Sequence, residues 1–265
     1  MKPTLGMVVA MASEARLLLG RGPWRQVNRH LVRCARLKDG TDLIVTRAGL
    51  GVENAFAAAR WLISEGVTAL TSMGFAGGLC PGLKAGHLII AEDVLTIDHG
   101  KSRGPWKADA TCVAHARAAF TAEGVSVACG TVVTAPEGIL TVAQKESLFR
   151  QTRALAVDME SAAIARAALE KNLPFFTLRA ICDPAEETVP RALYDCLDKN
   201  GKVRLTAVLL NLAGRPSLAL DLRRMSRHYA AAKTALKDGW RIQIKNNLPR
   251  ILASRHQEDA MPIDD

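Results

Sequence analysis

Carboxyl groups stand at the ends of apolar segments in this chain, where an unpaired charge is costly to bury. Asp158 and Glu160 come directly after one apolar segment, and Asp183 ends another. Glu14 follows the first apolar segment of the chain. Carboxyl groups in such places can donate or accept protons and can stabilise developing positive charge. These residues are therefore candidates for acid–base chemistry on a bound molecule.

Two further features accompany the carboxyl groups. Residues 72–79 read SMGFAGGL, and glycines directly after a buried strand let the backbone approach a ligand closely. Arg179 interrupts the apolar segment that ends at Asp183. Each feature also has a purely structural interpretation: a plain turn for the glycines, a buried Arg179–Asp183 ion pair, and helix-terminal partners for Glu14 and Glu160.

Apolar runs alternate with helical periods along the chain, which predicts a largely parallel sheet covered by helices on both faces. Thr141 and Gln144 fit a capping box at the start of one helix. Ligands of open α/β sheets bind at the carboxyl ends of the strands, where the candidate residues lie. The predicted strands are residues 5–11, 41–46, 68–73, 88–94, 125–134, 154–157 and 175–182, and the helices are 13–19, one after 51, 111–123, 141–150, 160–171 and 202–212.

Composition limits the class of protein. The 265 residues carry a formal charge of +9, of which residues 201–256 hold +10 (12 Lys or Arg against 2 Asp or Glu). No nucleic-acid-binding module is recognisable in this basic region. The six cysteines form no C-x-x-C pair, which favours buried thiols in a reducing compartment over disulfides or a zinc site. No apolar run is long enough to span a membrane, so we expect a cytoplasmic enzyme.

The basic region itself has an amphipathic pattern. Apolar residues recur at helical spacing from Leu218 to Leu236, with arginines and lysines on the other faces. One interpretation is a helix packed on the core with a solvated basic face. The other is peripheral docking on anionic lipid at the inner membrane surface.

Taken together, the motifs resemble the family of purine nucleoside phosphorylases and methylthioadenosine/S-adenosylhomocysteine nucleosidases. The resemblance rests on Gly74 to Leu79 (G-F-A-G-G-L), Val157 to Ala163 (V-D-M-E-S-A-A) and Arg179 to Asp183 (R-A-I-C-D), and it covers residues 4–213. The residues of these motifs are most similar to those of the hopanoid-associated branch, whose members are thought to remove adenine from adenosylhopane.

The resemblance implies a role for each candidate residue. Asp183 matches the general acid that protonates or hydrogen-bonds purine N7, and Glu160 matches the residue that binds ribose hydroxyls. Arg179 matches an arginine near the nucleophile. The resemblance also implies that Met159 packs against the sugar and that Ile139 lies at the adenine edge. Phe75, Ala76 and Gly77 are expected beside the base and the ribose. A substrate contact is also expected for Asp158.

This sequence departs from the nucleosidase pattern at two positions. In our alignment, the glutamate that positions attacking water falls on Ser13, and Glu14 is the next residue. Either Glu14 takes that catalytic role after a small change of register, or the site binds phosphate. Phe75 replaces a small hydroxyl residue, which removes a hydrogen-bond donor.

These observations lead to the following expectations. Residues 1–215 form a three-layer nucleoside phosphorylase-like α/β domain with a central mixed, largely parallel sheet, and residues 216–265 form a basic helical extension with a disordered end. The protein cleaves the N-glycosidic bond of an adenine nucleoside, which is lipid-linked in the case of adenosylhopane. The alternatives are a methylthioadenosine/S-adenosylhomocysteine nucleosidase and a non-catalytic nucleoside-binding protein. A homo-oligomer is implied, with no metal or organic cofactor and with inorganic phosphate as the alternative co-substrate to water.

Overall fold

A computed structural model describes residues 2–98, 100–196, 204, 206, 210, 211 and 214–258, with side chains up to residue 255. The strands are β1 (Thr4–Val9), β2 (Arg25–Val27), β3 (His30–Arg36), β4 (Asp42–Arg47), β5 (Ala69–Gly78), β6 (Leu88–Asp98), β7 (Lys101–Lys107), β8 (Val127–Thr134), β9 (Ala156–Asp158) and β10 (Phe175–Asp183). The helices are α1 (Ala12–Leu19), α2 (Val52–Ser64), α3 (Ala110–Ala122), α4 (Val142–Thr152), α5 (Ser161–Leu169), α6 (Arg191–Tyr194), α7 (Leu218–Lys245) and α8 (Leu248–Glu258).

The ten strands form one mixed sheet, part of which closes on itself. Parallel pairings join β4, β1, β5 and β10 in that order, and also β6, β8 and β9. Antiparallel pairings between β10 and β6 and between β5 and β9 complete a ring of five strands. The sheet then extends from β5 through β1 and β4 to the antiparallel strands β3 and β2.

The strand β5 changes its neighbour halfway along, and this change opens a gap in the sheet. Its first half pairs with β1 as far as Ser72, and its end pairs with β9 at Gly77 and Gly78. The residues between these pairings face the place where β1 and β9 both end, because β9 runs antiparallel to β5. A point where strands diverge is where α/β sheets bind ligands, so the gap beside residues 73–76 is the first place to look for a site.

Helices cover the sheet on its faces and bury its apolar side chains. The helices α2 and α5 pack against each other, while α3, α7 and α8 form a second group. Gly239 lets α7 approach the sheet closely, because a Cβ there would lie 3.1 Å from Leu178 and 3.2 Å from Leu88. Leu236 and Trp240 of the same helix are buried in the main core. The C-terminal extension is thus integrated into the domain's core along much of its length.

The predicted fold class is confirmed: a central mixed sheet is flanked by helices and is followed by a helical C-terminal region. The capping box of Thr141 and Gln144 is present at the start of α4. The predicted turn after residue 73 is wrong, because β5 continues through the glycines to Gly78. Strands β2, β3 and β7 were not predicted. The disordered end predicted for the extension and most of the predicted 202–212 helix lie outside the described residues.

Candidate active site

The centre of the gap is a buried ion pair between strands β9 and β10. Arg179 Nε lies 2.7 Å from Asp158 Oδ2, and both side chains are almost completely buried. Arg179 Nη2 also donates hydrogen bonds of 2.7 Å to the hydroxyl oxygens of Ser72 and Ser161. Arg179 therefore pairs with Asp158, and the alternative suggested from sequence, a pair with Asp183, is not formed.

Asp158 has more partners than the arginine alone. Its Oδ1 accepts a 2.7 Å hydrogen bond from the Thr134 hydroxyl, and its carboxylate accepts the Ser161 backbone N–H at the start of α5. Burial works to raise the pKa of Asp158, but the Arg179 guanidinium and these hydrogen bonds outweigh burial and hold the pKa below its usual value. The network fixes the turn from β9 into α5, which carries Glu160.

Glu160 lies beside this pair and at the N-terminus of another helix. Its Oε1 accepts a 3.0 Å hydrogen bond from the backbone N–H of Gly51, the N-cap residue of α2. Burial and then the negative charge of Asp158 raise the pKa of Glu160 to about 8. The backbone amide at the N-terminus of α2 therefore already has a carboxyl partner.

Glu14 points into the same gap from the first turn of α1. Its Oε2 accepts 2.9 Å hydrogen bonds from the backbone N–H groups of Ala10 and Met11, and its Oε1 accepts one of 3.3 Å from Phe75. Burial raises the pKa of Glu14 despite these hydrogen bonds and the charge of Arg179. Ser13, by contrast, is exposed. The carboxyl group at the site thus comes from Glu14.

These groups enclose one small cavity. Its volume is about 10 Å³, on the order of the space that a single water molecule needs. The polar side chains on its walls are Glu14, Glu160, Arg179 and Ser72, and the remaining lining residues are Val8, Ala10, Met73, Gly74 and Phe75. The absence of a side chain at position 74 is required here, since a Cβ would lie 2.5 Å from Glu14 Oε1.

Asp183 ends β10 and pairs with Gly77 of β5, where it belongs to a separate polar cluster. A Cβ at Gly77, three residues after Gly74, would lie 3.0 Å from Asp183 Oδ2. That oxygen is 2.7 Å from Nζ of Lys145, and Oδ1 accepts a 3.0 Å hydrogen bond from the Cys182 thiol. Three residues of strand span about 10 Å. Glu14 thus lies beside Gly74 and Asp183 beside Gly77 of the same strand, and Asp183 does not line the cavity at Glu14.

Lys145 is fully buried, and its ammonium group is surrounded by acceptors. Besides Asp183, it donates to the backbone carbonyl oxygens of Pro184 at 2.7 Å and Glu187 at 2.9 Å. A buried ammonium group needs such partners. Lys145 therefore fixes both the Asp183 carboxylate and the segment that follows β10.

A third group of side chains lies beyond the β9 end. The Tyr194 hydroxyl contacts Met159 Sδ at 3.9 Å, and a Cβ at Gly138 would lie 2.7 Å from the Tyr194 ring. Ile139 packs against the smaller apolar cluster that contains Val157. Met159 and Gly138 thus both lie next to Tyr194. Among the described residues, no group of His, Cys, Asp and Glu is arranged to hold a metal ion.

The sequence profile of the phosphorylase superfamily matches residues 4–212, which is most of the chain. The chain belongs to the phosphorylase superfamily. Within it, a 5'-methylthioadenosine/S-adenosylhomocysteine nucleosidase of Colwellia psychrerythraea is 29% identical over 197 residues, covering 67% of this chain and 81% of that protein. The superfamily match ends before α7, so the whole C-terminal extension, residues 216–265, lies outside the matched region.

Solved structures of superfamily members have the same fold. The nucleosidase of Neisseria meningitidis in complex with methylthio-immucillin-A superposes with a TM-score of 0.70 at 21% identity, covering 92% of this chain and 99% of that one. The S-adenosylhomocysteine nucleosidase of Streptococcus pyogenes in complex with 5-methylthiotubericidin has a TM-score of 0.65 at 24% identity, covering 70% and 85%. At these identities the likeness establishes the fold.

The structure brings some of the predicted site residues together and separates others. Glu14, Phe75, Glu160 and Arg179 line one cavity. Ala76 and Gly77 continue β5 from that cavity toward Asp183, and Met159 lies beside Tyr194. Asp158 is engaged by protein partners on both carboxylate oxygens. Its substrate contact, like the other assigned roles, stays a prediction.

Sequence reasoning missed several residues that shape the site. Lys145 lies one turn before Leu148, and both are buried on α4. The position of a lysine on the apolar face of a predicted helix could have identified it as a buried cation. Ser72 lies within β5 and Thr134 ends β8, and their hydroxyl groups bond to the Arg179–Asp158 pair. No local signal marks these two hydroxyl groups, because their partners are remote in sequence.

Proposed function

We propose that this protein hydrolyses the N-glycosidic bond of a purine nucleoside, with water as the nucleophile. The observation that carries the proposal is the cavity of about 10 Å³ between the carboxyl groups of Glu14 and Glu160. It has room for about one water molecule. Asp183 lies further along β5 from this cavity, beside Gly77. Two carboxyl groups near the nucleophile and one near the leaving group suit a bond that breaks toward a positively charged ribose.

The charges around the cavity favour water over phosphate. The guanidinium of Arg179 is already paired with Asp158, and the amide of Gly51 is already paired with Glu160. An incoming phosphate would meet two carboxyl groups with no free cation among the side chains that line the cavity. Burial of an anion without a partner of opposite charge is costly. A neutral water molecule avoids this cost.

Each group then has one task in the reaction. Glu14 accepts a proton from the water as the water oxygen bonds to C1' of the ribose. Glu160 holds the ribose hydroxyls through its carboxyl oxygens. The bond from C1' to the purine nitrogen breaks, and its electron pair goes to the base. Asp183, which takes up a proton from solvent when the substrate binds, donates that proton to N7 of the base. The products are the free base and ribose with its 5'-substituent, and the proton taken by Glu14 balances the one given by Asp183.

The substrate that we propose is an adenine nucleoside with a large apolar 5'-substituent, of which adenosylhopane is the specific candidate. Its support is the resemblance of the G-F-A-G-G-L, D-M-E-S-A-A and C-D-P-A-E segments to the hopanoid-associated branch. The relatives named as methylthioadenosine/S-adenosylhomocysteine nucleosidases support those smaller substrates as the alternative. Phe75, which replaces a hydroxyl residue, favours the first candidate.

A surface of α7 supports contact with anionic lipid in presenting such a substrate. Leu220 is 74% exposed, and Arg223 and Arg227 are exposed on the same half of the helix. Basic and apolar side chains together suit a membrane interface. Among the described residues, no helix is both long enough and apolar enough to cross a bilayer. Sedimentation with anionic vesicles at low and high salt tests this contact, and an absence of binding at either salt contradicts it.

The central experiment separates hydrolysis from phosphorolysis and from binding alone. The protein is incubated with adenosine, methylthioadenosine, S-adenosylhomocysteine and a long-chain 5'-alkyl adenosine, with and without phosphate. Adenine, the free sugar and ribose 1-phosphate are measured. We expect adenine and free sugar at equal rates in both buffers. Phosphate-dependent formation of ribose 1-phosphate would contradict the choice of water, and binding without any cleavage would indicate a non-catalytic nucleoside-binding protein.

The oligomeric state is part of the same proposal. We expect a homo-oligomer, because neighbouring subunits often close the pocket in the family that the sequence resembles. Light scattering of the purified protein across a range of concentrations measures its mass. A monomer that retains full activity at every concentration would contradict this expectation.

A further inference from the structure

The two positions at which the sequence departs from the nucleosidase pattern have a common neighbour. The Phe75 and Tyr229 rings are 5.0 Å apart between centroids and tilted by 54°. The Ser13 side chain interacts with the Tyr229 hydroxyl and works to lower the pKa of this phenol. Tyr229 is on α7, in the C-terminal extension beyond the superfamily match. One residue of the extension therefore contacts both unusual positions.

Both neighbours of Tyr229 are directly linked to Glu14. Phe75 lines the cavity, and its backbone N–H donates to Glu14 Oε1. Ser13 directly precedes Glu14 on the turn from β1 into α1. Burial raises the pKa of Tyr229, and the charge of Glu14 adds to this effect, as expected for a phenol close to that carboxyl group. Tyr229 is still 37% exposed, so it lies at the boundary between the cavity wall and solvent.

The helix that carries Tyr229 is held firmly on both sides of this contact. Toward its C-terminus, Ala232 and Leu236 are fully buried in the core. Toward its N-terminus, Arg224 Nε lies 3.0 Å from Glu187 Oε2. The backbone carbonyl of Glu187 in turn accepts a hydrogen bond from Lys145. A side chain on such a supported helix can restrain its neighbours, because the helix itself does not give way.

We propose that Tyr229 is a positioning residue that, with Phe75, closes the outer wall of the Glu14 cavity and holds Glu14 in place. This inference rests on the proposed function and extends it: the C-terminal extension becomes a part of the catalytic unit. The aromatic pair keeps bulk water from the carboxyl group while one water remains inside. Exclusion of solvent strengthens electrostatic effects on the reacting atoms.

The test compares Tyr229→Ala, Tyr229→Phe and, as a matched control, Lys233→Ala. Lys233 is an exposed residue one turn further along the same helix. The substrate is a soluble adenine nucleoside, so that lipid contact plays no part. We expect kcat to fall about tenfold or more in Tyr229→Ala, since misplacement of a catalytic group by about 1 Å can cost this much. Tyr229→Phe keeps the ring contact, so its kcat should stay within about threefold of the wild-type value. The kcat of the control Lys233→Ala should equal that of wild type.

The pH profile separates positioning from mere stability. Water admitted by Tyr229→Ala relieves the burial of Glu14, so the acid limb of kcat/KM should move to lower pH. A Tyr229→Ala protein with wild-type kcat and an unmoved acid limb overturns the inference, even if its melting temperature falls. If wild-type protein releases no base at all, the proposed function fails instead.

A second measurement, the pH dependence of the melting temperature, tests the same inference without an enzyme assay. The melting temperature is followed between pH 5 and pH 8 in wild type, Glu14→Gln, Tyr229→Ala and the double variant. Because burial raises the pKa of Glu14, ionisation of this group should lower the melting temperature as pH rises, and Glu14→Gln should reduce that fall. We expect a smaller reduction in the Tyr229→Ala background. Equal reductions in both backgrounds would show that Tyr229 does not enclose Glu14.

Discussion

Nζ of Lys145 lies 2.7 Å from Oδ2 of Asp183, and the lysine side chain has no exposed surface. The same ammonium group bonds the carbonyl oxygens of Pro184 and Glu187. One cation thus joins the proposed acid of the reaction to the segment that leaves β10. The orientation of Asp183 is consequently linked to folding of the domain, because Lys145 is placed by the capped helix α4.

Lys145→Met should destabilise the protein strongly and reduce its activity. The variant keeps the volume of the side chain but leaves the Asp183 carboxylate and two carbonyl groups without their donor. Removal of one partner of a buried ion pair typically costs about 3–5 kcal/mol. The free energy of unfolding in urea and kcat for a nucleoside measure the two effects. A matched control is Lys171→Met, at an exposed lysine beyond α5, and a Lys145→Met protein as stable as this control would contradict the prediction.

Asp183→Asn should cut kcat by roughly a hundredfold or more, because the amide cannot donate a carboxylic proton to N7. The amide still accepts a hydrogen bond from Lys145, so folding is less affected than in Lys145→Met. The comparison is made with Asp195→Asn, a carboxylate on the exposed Arg191–Asp195 pair of α6. A near-normal kcat in Asp183→Asn removes this residue from the mechanism, whatever happens to its stability.

The alternation of helices and strands was predictable, since apolar periodicity is a local property of the sequence. The ion-pair partner of Arg179 was not predictable, although the spacing of residues along the strand excluded one choice. Arg179 and Asp183 are four residues apart on one strand, which separates them by about 13 Å, so a direct pair between them was unfavourable. The actual partner, Asp158, comes from β9, and only the placement of β9 beside β5 and β8 brings it within reach.

The glycines of β5 and the helix α7 show the same limit. Glycine content favours a turn, yet pairing with β10 keeps β5 extended as far as Gly77. The helical spacing of apolar residues identified Tyr229 as one member of an apolar stripe. Its contact with Phe75 was not predictable, because the two residues are far apart in the chain. Such contacts follow from the topology of the sheet and not from local pattern. The unpredicted parts of the site are therefore its long-range pairs.

Glu160→Gln should make stability less dependent on pH. Burial raises the pKa of Glu160 to about 8 in the folded protein, against an ordinary value of 4.5. Between these values the folded state keeps a proton that the unfolded chain releases, so the free energy of unfolding falls as pH rises from about 4.5 to about 8. Glutamine still accepts the Gly51 hydrogen bond but carries no titratable proton.

Urea unfolding at pH 5, 6, 7 and 8 measures this effect. The difference in free energy of unfolding between Glu160→Gln and wild type should grow in favour of the variant as pH rises. It should reach about 1 kcal/mol or more by pH 8, because one pKa unit corresponds to about 1.4 kcal/mol. Glu65→Gln, at an exposed position after α2, serves as the control. Parallel curves for wild type and Glu160→Gln would show that Glu160 titrates alike in the folded and unfolded states.

Gly74→Ala should impair catalysis by displacing Glu14. The new Cβ would lie 2.5 Å from Glu14 Oε1 and 3.4 Å from Arg179 Nη1, and the first distance is too short for any side chain to keep. Glu14 can move away only by giving up backbone hydrogen bonds that now orient it. We expect a fall in kcat of about tenfold or more and a loss of about 1–3 kcal/mol in stability from overpacking.

The control for this substitution is Gly214→Ala, where a Cβ would meet no atom within 4 Å. Enzyme assays of both variants, with the free energy of unfolding measured in parallel, separate the two effects of the methyl group. If Gly74→Ala lost stability but kept wild-type kcat, the protein would be catalytically indifferent to the position of Glu14. The attacking water would then need another base, and the cavity between Glu14 and Glu160 would no longer account for hydrolysis.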